Sequence, residues 1–182
     1  RRGIPITLAL LYIELATQIG LHARGVSFPG HFLVKLRATK GEVVIDPLSG
    51  HSLSREDLEE RLLPYRRERG LTGDFEVPLG LFLQAAPPRD VMARLLRNLK
   101  EIHRTAEDWP RLLAVCDRLV VLLPQAWEEQ RDRGLTLAEL GNQPAAAADL
   151  AAYLEHMPEA VDAASLRERL DSLGGRRRGP LH

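Results

Sequence analysis

The chain has 182 residues, enough for one or two domains with a proper core, and its 45% apolar and 27% charged residues are ordinary for a soluble globular protein. Lysines and arginines total 25 against 25 aspartates and glutamates, so no overall field points to nucleic acid or to a membrane surface. The single cysteine, Cys116, excludes an internal disulfide and any cysteine-rich zinc site and fits a reducing cytoplasm.

The first predicted element is a helix opened by Pro5, because a proline in the first turn loses no hydrogen bond. Leu8, Leu11, Tyr12, Leu15, Ala16 and Ile19 then recur at three- and four-residue steps up to Gly20. Other apolar residues fall between those steps, which predicts burial on most sides. The apolar run 4–16 contains Thr7 and Glu14 and is too short to span a bilayer. No secretory signal is legible, and with no initiator methionine the chain reads as a fragment.

Segments 23–28, 31–37 and 42–46 have strand character, and the turn at Lys40-Gly41 makes a hairpin of the last two. In the second, Phe32, Val34 and Leu36 share one face, and His31, Leu33, Lys35 and Arg37 share the other. Ser54 and Asp57 form a capping-box pattern at the head of a charged helix reaching about Arg69. Helix followed by three strands predicts an α+β domain with an antiparallel sheet over 1–70, lacking its N-terminal part. A linker is expected at 71–88, punctuated by Pro87-Pro88, and beyond it no strand signal remains. Helical patterns at 89–105, 110–123, 126–140, 144–157 and 160–173 fill an all-α region over 89–173, and 174–182 reads as a disordered basic tail.

The second half repeats itself. Pro110 and Pro144, Pro124 and Pro158, Cys116 and Leu150, and Leu119 and Tyr153 are each 34 residues apart, the period of the tetratricopeptide helix-turn-helix. Two copies and a capping last helix make a minimal solenoid.

The stretch "GIPITLALLYIELATQIGLHARGVSFPGHF" with "VVIDPLSG" resembles the core of a transglutaminase-like, papain-related domain. That family reads glycine, a gap, cysteine, a helix with alanine four residues on, a G-hydrophobic-x-A-R turn, a strand opened by histidine and a later D-P. Ala9, the run Gly20–Arg24, His31 and Asp46-Pro47 match those places. The strings "RRGIPITLALLY", "FPGHFLV", "DPLSG", "NLK" and "RDRGL" extend the likeness to the bacterial transglutaminase-like proteins with C-terminal tetratricopeptide repeats, the Sir invasion-regulator B-type homologues. The resemblance implies a small helix-plus-antiparallel-sheet papain/transglutaminase-like domain followed by a tetratricopeptide-like region. Counted back from Arg24 by the family's spacing, the nucleophile position is Pro5, and no cysteine occurs before Cys116.

Such chemistry needs a thiolate at a helix N-terminus, a histidine base and an aspartate that orients it. Pro5 has neither a nucleophilic atom nor an N–H for an oxyanion hole. Thr7, two residues on, faces another way and reads as a first-turn hydrogen-bonding residue. Cys116, beside Leu112, Leu113, Leu119 and Val120, reads as a buried structural thiol. His31 and Asp46 read either as a vestigial base and orienter or as a buried hydrogen bond tying two strands, and without a nucleophile the second is preferred. His22, His31 and His51 lack ligand spacing, so neither metal nor cofactor is expected. Arg131–Leu135, "RDRGL", reads as a locally paired charge run in preference to a docking site for an acidic peptide. The expected function is a non-catalytic, protein-binding or regulatory scaffold in the cytoplasm, its partner a protein or peptide in the helical-repeat groove. The alternative is a hydrolase or acyl-transfer enzyme using His31 and Asp46 with a non-cysteine nucleophile or activated water.

Overall fold

The computed structural model describes residues 4–39, 41–71, 73 and 76–175, and the chain forms two units, Arg1–Val91 and Met92–His182.

In the first unit, helix α1 (Pro5–Gln18) opens with Ile4 as an extended N-cap and Pro5 in the first turn. It packs on strands β1 (His22–Val26) and β2 (Leu33–Ala38) of a four-stranded antiparallel sheet completed by β3 (Gly41–Ile45) and β4 (Ser52–Leu53), in chain order. Only Ile6, Ala9 and Ala16 of α1 are buried, whereas Leu11, Leu15 and Ile19 are 54%, 53% and 74% exposed. The expectation of burial on most sides is therefore corrected: the sheet gives this helix one neighbour and covers one face.

Gly25 marks how closely that helix and sheet approach. A Cβ there would lie 2.7 Å from the Phe32 ring and 3.7 Å from Ile13 of α1. The other sheet face buries Val26, Leu33 and Val44 against Leu58 and Leu62 of α2 (Arg55–Glu68). Helix α2 begins as its sequence requires: the Ser54 hydroxyl accepts from Asp57 N–H at 3.1 Å, and Asp57 accepts from Ser54 N–H at 2.8 Å. A short helix, α3 (Leu79–Phe82), adds Leu79 to the same core, with Phe82 and Leu83 against it. Part of the segment expected as a linker, 71–88, is thus core of this unit.

The second unit consists of α4 (Pro88–Thr105), which starts just before the division, α5 (Trp109–Leu122), α6 (Trp127–Glu139), α7 (Gln143–His156) and α8 (Ala163–Gly175). Its backbone follows the 34-residue period bond for bond. Asp108 caps α5 through Arg111 N–H at 3.3 Å, and Asn142 caps α7 through Ala145 N–H at 3.4 Å. Leu123 N–H donates to Leu119 at 2.7 Å, and Met157 N–H donates to Tyr153 at 2.8 Å. Both inter-helix turns need a left-handed residue; the second copy has Gly141 at φ 77°, whereas the first makes Glu107 adopt φ 52°. Gly134 allows α6 and α7 to meet, since a Cβ there would lie 3.0 Å from Asp149 and 3.1 Å from Leu150. From residue 176 on, the expected tail lies outside the described residues.

Candidate functional site

The three-residue connection 19–21 sends β1 back along α1, so the start of α1 lies toward the end of the sheet where β2 begins and β3 ends. The register pairs Val34 with Ile45, which brings His31 and Asp46 to this same end on neighbouring segments. Sequence reasoning made His31 the first residue of a strand and half of a buried pair. Here it precedes β2 and is exposed, its N–H donating to Phe28 O at 3.0 Å.

Asp46 is occupied by other groups. It accepts from Leu48 N–H at 2.9 Å, an Asx turn that shapes the Asp-Pro corner, and from the Arg61 guanidinium of α2 at 3.1 Å. Burial alone would raise the Asp46 pKa, but the Leu48 N–H and Arg61 together hold it below the usual carboxylate value. Pro5 stands in the first turn of α1, and the Thr7 hydroxyl donates to Ile4 O at 2.8 Å. Cys116 is fully buried in α5, and burial pushes its thiol up to about 11, opposite to the shift a nucleophile needs. Among the described residues, no three His, Cys, Asp or Glu side chains converge as metal ligands.

The helical unit holds an arrangement that sequence reasoning met only in part. Lys100 of α4, buried, donates to Glu129 and Asp132 of α6 at 2.6 Å each. Arg97 adds a bond to Glu129 at 2.7 Å, and Arg104 one to Asp132 at 3.0 Å. Arg131 links Asp132 to Asp162, which also accepts from the Tyr153 hydroxyl at 2.9 Å. Burial would lower the Lys100 pKa, but its two carboxylate partners outweigh that and raise it. Asp132 is the reverse case: burial would raise its pKa, and Lys100 and Arg131 bring it below the ordinary value. The "RDRGL" run is therefore part of an ion-pair network. The unseen half, Arg97, Lys100 and Arg104, had a signal in its i, i+3, i+7 spacing opposite Glu129 and Asp132 one repeat later.

Beside this network a groove of about 490 Å³ opens within the helical unit, walled by Trp109, Leu112 and Leu135 and edged by Arg104, Arg169 and Glu139. Its polar edges are paired, Arg169 with Glu139 and Arg104 with Asp132 and Glu101, so the apolar wall is the part with unused surface.

Comparison with known proteins agrees with both halves. A family model described as transglutaminase-like superfamily matches residues 1–97, and a tetratricopeptide repeat model matches 99–171. A UPF0162 protein of Xylella fastidiosa is 39% identical over 97% of this chain and 62% of its own length. A UPF0162 protein of Pseudomonas aeruginosa is 30% identical over 100% of this chain and 64% of its own, and the protein SirB1 of Salmonella typhimurium is 26% identical over 95% and 62%. The chain thus spans about three fifths of the length of these relatives. With more than half of its residues matched by the first model, and its repeats by the second, the chain belongs to the transglutaminase-like superfamily, among members such as SirB1 and the UPF0162 proteins that carry tetratricopeptide repeats.

Proposed function

We propose that this chain is a non-catalytic transglutaminase-like protein that acts as a protein-binding or regulatory scaffold in the cytoplasm, and that its partner is a protein segment held in the groove of the helical unit. The observation that carries the reading is Pro5 in the first turn of α1, which the family's spacing, counted back from Arg24, makes the counterpart of the thiol that this chemistry needs. Asp46, the expected orienter, is bonded to Arg61 and Leu48. The groove has the profile of a peptide cleft, an aromatic and aliphatic wall between charged rims. No helix among the described residues is long and apolar enough to cross a membrane.

The test is affinity capture from cytosol with the full chain, wild type beside Leu135→Glu, followed by hydrogen exchange on the complex. The reading expects a partner that protects α4, α6 and α8 and that Leu135→Glu releases. Capture unaffected by the variant, or protection confined to the first unit, would remove the groove from the account.

A further inference from the structure

The sheet face that packs on α2 is apolar over only half its length. Alternation along β1 and β2 puts Val26 and Leu33 at the covered end and His22, Arg24, Lys35 and Arg37 at the other. The register sets His22 opposite Arg37 and Arg24 opposite Lys35. Like charges directly opposite one another destabilise a sheet, so the Arg24–Lys35 pairing does not serve the fold. Lys35 bonds Glu42 at 3.1 Å, and Glu42 also stands directly opposite Arg37, so one carboxylate serves both of these cations and none is bonded to Arg24 among the described residues.

These side chains line a concave site of about 450 Å³ closed by Gln84 and Ala85. That wall is fixed, because the next residue, Ala86, donates its N–H to Gly25 O of β1 at 2.8 Å. Arg24, Lys35 and Arg37 against Glu42 leave a net charge of +2 before His22 is counted. Directly opposed residues stand about 5 Å apart and alternate ones along a strand about 7 Å, so the cations converge on a small area. A phosphoryl group presents three acceptor oxygens on one atom and suits the forked guanidinium, whereas a carboxylate presents two. The volume lies in the range of small-molecule sites.

We propose that His22, Arg24, Lys35 and Arg37 form a binding site for a small, freely diffusing phosphate-bearing anion. The site is independent of the helical groove and requires nothing of it.

Pyrophosphate is the probe, titrated into the full chain at low salt and followed by phosphorus NMR and backbone amide shifts, with a glutamate-rich peptide and anionic lipid vesicles as separate arms. Saturable binding should shift amides of β1 and β2, weaken with added salt, and fall about tenfold in Arg24→Gln and in Arg37→Gln. Arg118→Gln, in the helical unit, should bind as wild type. Because each sheet variant removes a cation from a crowded face, its melting temperature without ligand should be unchanged or higher, which separates lost binding from lost folding. No saturable binding, binding that survives both arginine variants, or tighter binding of peptide or vesicles than of pyrophosphate overturns the proposal.

Discussion

The two units are held together by different physics. In the first, the sheet and α2 meet through Val26, Phe28, Leu33, Val44, Leu58, Leu62 and Leu79, and among the described residues Arg66 is its only buried charged or polar one. In the second, Lys100, Glu129, Asp132, Thr136 and Asp149 are all buried, and ionic bonds join α4 to α6 across the repeat boundary. Apolar contacts are tolerant of exact alignment, whereas paired buried charges penalise any other register. A stack of similar helices can slip by a turn; a sheet with one covered face is already aligned by its pleat. Pro5 suits a helix start and is not part of either set of contacts, so the fold places no other demand on that position.

The largest effect that would sharpen this contrast is at Lys100. Lys100→Met leaves Glu129 and Asp132 buried without their shared partner and should cost about 3–5 kcal/mol in denaturant unfolding. Replacing Lys100, Glu129 and Asp132 together by apolar residues should recover most of that loss. A cost below about 1 kcal/mol for Lys100→Met would mean that the network does not hold the repeats. In the first unit the comparable change is Leu62→Ala, where a cavity in an apolar core should cost about 2–5 kcal/mol and no charge substitution nearby should restore it.

The pH dependence separates the units without mutation. Asp132 has a lowered folded pKa, so its stabilisation is present above the unfolded value of about 3.9 and is lost as pH falls through the folded one. Lys100 has a raised folded pKa, so its contribution is complete below about 10.4 and disappears as pH rises through the folded value. Asp46 gives the first unit an acid limb of its own, so unfolding followed separately at α6 and at β2 should differ most on the alkaline side, with the steeper limb at α6. A smaller change tests the repeat itself: Glu107→Gly should stabilise by about 1 kcal/mol, because Gly141 already occupies the equivalent left-handed position.

Local chemistry was the part written most plainly in the sequence. The capping box at Ser54 and the prolines at 110 and 144 each act within a few residues, so their spacing alone locates α2, α5 and α7. Helix α1 shows the limit. It is apolar nearly all round, and periodicity could not say that Ile6, Ala9 and Ala16 would be the buried ones while Leu11 and Leu15 stayed exposed. The network was half legible for a related reason: Asp132 and Arg131 are neighbours, but Lys100 reaches Asp132 from 32 residues away. In the first unit, the proline at position 5 and the absence of any cysteine before Cys116 could be read directly. That Arg61, on another element, would engage Asp46 could not.

The most direct test of the central claim is an assay of the full chain on generic glutamine and peptide substrates, for both cleavage and transamidation, with His31→Ala alongside. The account predicts no turnover above the uncatalysed rate in either protein. Turnover by the wild type that disappears in His31→Ala would contradict it, and would mean that this site works with a nucleophile other than cysteine.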